Sequence, residues 1–329
     1  KHKVFTPWAA AAALALAVSL IFTACPQTTG GGGDALADKT ENVEGIQFTM
    51  KGIAAVTNGK IGHADQEHNG ERTVSLTAYH IGQTEVTQDL WEAVMEDNPS
   101  AFSGGSNPPA SGETQGARPV EQVNWYSAIA FCNKLSLKLG RAPVYSVTVG
   151  GTPVDFESLT ISQIPTTDNA EWNAVTADWS VNGFRLPTEA EWEWAAKGGQ
   201  DFKWAGTDNK DQLKHYAWYG WYKDDGDQDG GDAGGKTHQV KLKRPNGYDL
   251  YDMSGNVFEW CWDRYEDEDT VPASVPLDYA GETGDLGDRR VRRSGGLCFG
   301  SKEATCAFRT RSGPDYWTYD TGLRLVCRP

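Results

Sequence analysis

Cysteine is scarce in this chain and is never set out as a metal or redox motif. Six cysteines are spread over 329 residues, and no two of them form a CxxC pair. Neither a zinc ribbon nor a thioredoxin-type dithiol is therefore written here. Histidine is as thin, with six residues that each stand alone, which leaves no Cys/His metal constellation. Positive charge is in short supply too. Thirty Lys and Arg stand against 45 Asp and Glu, for a net charge of −15. Such a surface repels a phosphate backbone and anionic headgroups alike, which excludes nucleic-acid binding and a polybasic membrane patch. Its ordinary role is to keep a protein soluble. Long apolar runs are missing apart from Ala9 to Phe22, which is short for a spanning helix.

What is there begins with that run. Lys1 and Lys3 precede it and "FTAC" closes it at Cys25. A basic start, an apolar stretch and small residues are the parts of an export signal. "FTAC" resembles a bacterial lipoprotein box with Cys25 as the lipidated residue; the alternative is an ordinary signal peptide cut after Ala24. The following "PQTTGGGGDALADKTENVEG" reads as a tether, because Gly30 to Gly33 have no side chains to pack. The expected layout is a signal peptide over 1–25, a flexible tether over 26–44 and one folded domain over 45–329. Acyl chains on Cys25 would hold the domain at the outer surface of a bacterial envelope, touching the membrane through lipid alone. Five cysteines remain beyond Cys25, an odd number, so at least one thiol is unpaired or paired elsewhere.

Ile46 to Ile53 and Val74 to Ile81 read as strands. Thr87 is placed to N-cap a helix bearing Leu90, Trp91 and Val94 on one face, stopped by Asn98-Pro99. Asn124 caps a second helix, with Ala128, Ile129, Phe131, Cys132, Leu135 and Leu139 at helical spacing and Gly140 at its end. Thr188 and Glu191 form a capping box for a third, ended by Gly198-Gly199. Arg141 to Asn182 reads as a polar insertion with β-like pieces. "DGDQDG", Asp225 to Gly230, reads as a solvated acidic loop, with cation binding the alternative, since the twelfth position of an EF-hand loop is taken by Lys236.

Four segments carry a family pattern: "PVEQVNWYSAIAFCNKLS" from Pro119, "FRLPTEAEWEWAA" from Phe184, "RPNGYDLYDMSGNVFEWCWDRY" from Arg244, and "RVRRSGG…FRTR…GLRL" from Arg290. In this order they resemble the formylglycine-generating-enzyme (sulfatase-modifying factor) family, over about Gly45 to Pro329. The resemblance implies a divergent C-type-lectin fold, an α+β domain rich in loops with two main helices on small twisted sheets. The 13 tryptophans suit it, because aromatic side chains bury large areas where regular structure is sparse.

The family contains oxygen-dependent synthases, iron-dependent sulfoxide synthases, non-catalytic components, and surface proteins whose C-terminal segment is diversified by retroelements. The synthases use two close cysteines after a Gly-Gly-Ser turn to bind copper. Here Cys298 lies near the first place, Glu303 stands where the second would be, and Cys306 resembles a later structural cysteine whose partner place is Ala196. No copper is expected and no catalytic residue is assigned. The resemblance is strongest to the ligand-binding surface proteins, with 289–329 as the variable segment. It implies a binding face built by Phe299, Gly300, Ser301, Lys302 and Glu303 from one loop and Asp315, Tyr316, Trp317, Tyr319 and Asp320 from another. The four aromatics would be anchors and the polar residues adaptable contacts, lying together away from both helices. The expected partner is a macromolecule, a protein, met by a monomer. A formylglycine-generating oxidoreductase acting on sulfatases and a structural component of an envelope complex stand as alternatives.

Three further features are carried over from the resemblance. A structural calcium would be held by the Asp252 side chain, the Gly255 and Val257 carbonyls and the Glu259 carboxylate, the alternative being hydrogen bonds to backbone amides without metal. Cys132 and Cys327 would be a disulfide pair. Arg309, Arg311 and Arg324 would brace the framework. The anchor itself has a direct test: palmitate labelling is expected in the wild type and lost in Cys25→Ser, and label that survives the substitution contradicts lipidation at this residue.

Overall fold

The computed structural model describes residues 36–66, 68–220, 231–266, 274–281 and 286–329. Cys25, the glycine run and the acidic loop Asp225–Gly230 lie outside them. The first strands are β1 (Lys39–Val43), β2 (Ile46–Ile53), β3 (Val56–Ile61), β4 (Arg72–Leu76) and β5 (Tyr79–Gly82), followed by helices α1 (Gln88–Met95) and α2 (Trp125–Lys138). The insertion supplies β6 (Tyr145–Ser146), β7 (Thr148–Val149), β8 (Thr152–Pro153), α3 (Ala170–Asn173) and β9 (Thr176–Ala177). Then come β10 (Phe184–Arg185), α4 (Glu189–Lys197), β11 (Phe258–Arg264), β12 (Arg290–Arg293), β13 (Thr310–Ser312), β14 (Thr321–Leu323) and β15 (Val326–Cys327).

The helix starts follow from their caps. Thr87, Asn124 and Thr188 each accept a hydrogen bond from the backbone N–H three residues on, at 3.3, 2.8 and 3.1 Å. The Thr188 box is closed by Glu191, which accepts from the Thr188 N–H at 2.8 Å. Gly198 ends α4 in the left-handed region. α1 stops earlier than Asn98-Pro99, at Glu96 with φ 59°. The folded domain also starts before Gly45. Lys39–Val43, inside the expected tether, pairs with β2 as the edge of a sheet, and the turn Glu44-Gly45 has positive φ at both positions, as a two-residue hairpin requires. The expected single strand Val74–Ile81 is two. β4 pairs with β3, and β5 lies between β2 and β15, with Thr77 between them tied to the Asp278 carboxylate through its N–H and hydroxyl.

Two sheets frame the molecule, one in the order β1-β2-β5-β15-β10 and one in the order β13-β12-β11-β14, where β11 and β14 run parallel. α2 fills one core with Trp125, Ile129, Phe131 and Cys132, and Phe131 stacks on Trp91 of α1 at 4.9 Å. The insertion is less polar in effect than it looks, since Tyr145, Phe156 and Trp172 join this core and Tyr145 stacks on Trp262 at 5.1 Å. α4 packs on a second core with Ala196, Cys261, Val291 and Cys306.

The Cys132–Cys327 disulfide is not formed; both are buried free thiols, as are Cys261, Cys298 and Cys306. Cys327 faces Arg141, whose guanidinium donates to its sulfur at 3.5 Å, while Cys132 sits in α2 and its carbonyl accepts from Ser136 at 2.7 Å. Burial raises both thiols, so neither is a ready nucleophile for exchange.

One buried acid makes stability depend on pH. Asp263 accepts from the Glu189 N–H at 2.7 Å, and burial, with the Glu189 charge beside it, pushes its carboxyl up to about 8. Unfolded, the group titrates near ~3.9. The fold thus takes up a proton, and this contribution is lost as pH rises from about 4 through about 8. Asp263→Asn keeps an acceptor for Glu189 and removes the charge. Its melting temperature is expected to gain on the wild type steadily from pH 5 to pH 8.5, by a few kcal/mol equivalent at most; a difference that stays flat contradicts the account.

Candidate ligand-binding face

The C-terminal segment is held by its turns. β12 ends in Ser294, whose φ of 84° is rare outside glycine. Its hydroxyl donates to the Asp252 and Gly255 carbonyls at 3.2 and 3.1 Å, which holds the strained residue in place. At Gly295 a Cβ would stand 2.5 Å from the Glu303 carbonyl, so only glycine lets the loop return against its own start. The second loop begins where the Trp125 N–H of α2 donates to the Pro314 carbonyl at 2.9 Å and ends where the Phe258 N–H donates to the Asp320 carbonyl at 2.6 Å. It therefore starts at the N-terminus of α2, not away from both helices.

The two loops do meet. Phe299, Tyr316 and Trp317 are 39, 44 and 54% exposed. The Phe299 ring packs edge-on against Phe258 at 5.1 Å, and the guanidinium of Arg292 lies 4.9 Å from both the Phe258 and Tyr316 rings. Arg292 and Phe258 thus form a floor from which an aromatic of each loop rises. Lys302 is exposed, and Glu303 and Asp315 are half-buried. Tyr319 is not an exposed anchor: it is half-buried, edge-on to Phe102 at 6.1 Å, with its hydroxyl 3.8 Å from the Cys298 sulfur. Gly300, Ser301 and Asp320 are buried and present no contact surface. Ser301 is drawn in because its carbonyl accepts from the Trp204 indole at 2.7 Å, and Asp320 because its backbone closes on β11 while a carboxylate oxygen accepts from Thr321 at 3.3 Å. The floor residue Arg292 was not singled out by sequence reasoning. The signal was "RVRR" in a strand, whose alternation puts Arg290 and Arg292 on one face and Val291 and Arg293 on the other.

Cys298 packs with Phe102, Ala233 and Leu297, and Cys306 with the α4 core beside Ala196. Burial pushes both thiols up to about 12. Protonated thiols in separate clusters do not offer a thiolate pair.

The expected calcium ligands are gathered, and several of them already have protein partners. The Glu259 carboxylate accepts from Arg324 Nε at 2.9 and 3.1 Å, from Arg324 Nη2 at 2.7 Å and from the Trp192 indole at 2.6 Å. Three N–H groups thus engage this carboxylate, with that of Arg324 Nε shared between its two oxygens. The Gly255 carbonyl takes the Ser294 hydroxyl. Asp252 Oδ2 accepts from the Lys241 N–H at 2.9 Å, while Oδ1 is buried without a partner. Glu85, unnoticed in the sequence, lies in the same field and accepts from Asn256 Nδ2 and the Val257 N–H at 3.0 and 3.2 Å. Burial, then the Asp252 and Glu259 charges, raise Glu85 well above the carboxylate range, and burial brings Asp252 up to about 6. Among the described residues no three His, Cys, Asp or Glu are arranged to hold a metal. Where the resemblance implied an open carboxylate at Glu259, the structure places the Arg324 guanidinium on it.

The profile of the sulfatase-modifying factor enzyme 1-like domain matches residues 35–329. The chain belongs to that family. Within it, a Paenibacillus barcinonensis protein named "Chaperone protein LppX" is 37% identical over 267 residues, covering 78% of this chain and 82% of that one. A formylglycine-generating enzyme of Thermomonospora curvata is 34% identical over 171 residues, covering 49% of this chain and 55% of its own, so the chain spans about half the length of that enzyme. Among solved structures, Treponema denticola variable protein 1 superposes with a TM-score of 0.82 at 53% identity, over 89% of this chain and 100% of that one.

The Glu259 arrangement has a measurable consequence. Adding calcium or a chelator is expected to leave the melting temperature unchanged, whereas Glu259→Gln, which strands a buried guanidinium, is expected to cost about 3–5 kcal/mol. A calcium-dependent rise that a chelator reverses would show that the ion binds after all.

Proposed function

We propose that this protein is a lipid-anchored surface protein of a bacterial envelope that binds a protein ligand through the face carrying Phe299, Tyr316 and Trp317. The observation that carries the reading is that aromatics from two loops stand exposed over one floor of Phe258 and Arg292. Large aromatics set with one side outward are costly to leave in water and supply most of the energy of interfaces. Lys302, Glu303 and Asp315 add polar contacts at the rim. The 53% identical relative is named a variable protein, and the segment 289–329 is the part of this chain built to vary. Within it Phe299, Lys302, Tyr316 and Trp317 stand exposed on a frame of largely buried residues, and diversification by a retroelement would act at such exposed positions.

The test is an array of extracellular protein domains probed with wild type, Trp317→Ala and Phe299→Ala. Binding that falls about tenfold or more in either variant, as for hot spots worth ~2 kcal/mol, with little change in melting temperature, is the expected result. Equal binding by all three contradicts the face. Formylglycine made in a sulfatase peptide, dependent on Cys298, would establish the oxidoreductase reading in its place.

A further inference from the structure

The floor of the face contains a charge that the fold does not neutralise. Four of the buried arginines are matched to acids. Arg185 forks onto Glu191 at 2.6 Å, Arg293 reaches Glu189 and Glu193 at 2.8 and 2.9 Å, Arg309 takes Glu189 at 2.6 Å and Arg324 takes Glu259 at 2.7 Å. Arg292 is 8% exposed and forms no ion pair among the described residues. Its Nη1 donates to the Thr321 hydroxyl at 2.8 Å, and that hydroxyl in turn donates to Asp320 at 3.3 Å, so the acid in its field is reached through a relay. Its Nε is buried with no hydrogen-bond partner. Three rings surround the guanidinium, Phe258 and Tyr316 at 4.9 Å and Trp260 at 5.6 Å.

Two other buried arginines form no ion pair among the described residues, and neither borders the face. Arg118 donates to Thr237, Asn107 and Gln115. Arg290 is shut between Trp125 and Trp262, themselves buried, at 3.8 and 5.2 Å. Arg292 alone of the three has an exposed aromatic, Tyr316, as one wall. A cation held dry by rings and one hydroxyl is costly to the free protein. The edge carrying Nε and Nη2 is a planar fork whose spacing matches a carboxylate, and the Thr321 bond is made at the other nitrogen.

We infer that Arg292 is the anion subsite of this face and receives an Asp or Glu side chain of the protein ligand, seated between the rings of the two loops. The inference rests on the binding-face reading above. Rotation of the exposed Tyr316 side chain uncovers the fork, and the ligand carboxylate then completes the pair that the fold leaves open. The aromatics supply contact area, and the arginine selects what docks on it.

A random linear-peptide display library, selected on the wild-type domain and counter-selected on Trp317→Ala, tests both readings separately. Peptides that need Trp317 are expected to carry Asp or Glu at one fixed register from an apolar residue. Changing that acid to its amide in a synthetic peptide is expected to weaken binding to the wild type at least tenfold. This arm does not depend on any variant folding. Arg292→Gln is expected to bind acid and amide peptides equally, and Arg292→Lys to restore part of the preference. Trp317-dependent peptides in which acids are no commoner than in the unselected pool, or whose acid-to-amide change costs nothing, overturn the subsite and leave the face standing. A library with no Trp317-dependent binders overturns the face and the subsite together.

Discussion

The fold depends on carboxylates buried opposite arginines that arrive from the C-terminal segment. Arg324 follows β14 and sits in the centre, holding Glu259 on β11 through Nε and Nη2 while Nη1 donates to the Gly82 carbonyl and Nη2 also to the Tyr251 carbonyl, each at 2.9 Å. One side chain thereby joins β11, the end of β5 and the turn that leads into β11. Trp192 of α4 takes an oxygen of the same carboxylate, so the helix is registered on the pair as well. Such a pair gives little over a well-packed apolar replacement, but losing one partner is severe. Its weight is positional, because every group around it must be in place at once.

Glu189 repeats the device one helix turn from Trp192 and explains how the loop after β12 is built. It accepts from Arg293 and from Arg309. Arg293 is the last residue of β12 and Arg309 precedes β13, so the loop between them leaves and returns at the same carboxylate. Loop closure is thus fixed by charge in the core and asks nothing of the residues at the tip. Ser301 and Asp320, bonded inward, belong to that frame, and Phe299, Lys302, Tyr316 and Trp317 are its free contents. The same division makes substitution at the exposed positions cheap for the fold, which is what a surface that varies requires.

The helices were legible because capping is local: a Thr or Asn followed by the right register says where an N-terminus must be. The strand β1 was not, because "KTENV" is polar and an edge strand shows only one half of a weak alternation. The break between β4 and β5 escaped notice because its cause, Asp278, lies far along the chain. The expected calcium turn was found as a turn, but the partner of its carboxylate was not. Asp252 and Glu259 are spaced as ligands would be, but the arginine that occupies Glu259 comes 65 residues later. Among the residues of the proposed face, side-chain type predicted exposure for Phe299, Tyr316 and Trp317 and failed for Tyr319, Ser301 and Asp320. Short polar residues look alike in a loop tip and in a buried turn, and backbone partners decide between them.

Arg292 is the residue whose meaning needed both levels. In sequence it is one of four arginines in a short basic stretch, Arg289, Arg290, Arg292 and Arg293, in a chain with net charge −15. That charge bears on how an acidic ligand could be accepted at all. At long range the surface repels it, and salt shortens that repulsion to about 8–10 Å. A single buried guanidinium adds nothing to attraction at a distance, but close up, in a dry and aromatic setting, its interaction with a carboxylate is far stronger than in water. The subsite therefore acts after contact. It slows dissociation of the right ligand and leaves a ligand without the acid facing an unneutralised charge. Selectivity then resides in one buried side chain of the floor, while affinity and shape are left to the loop residues above it.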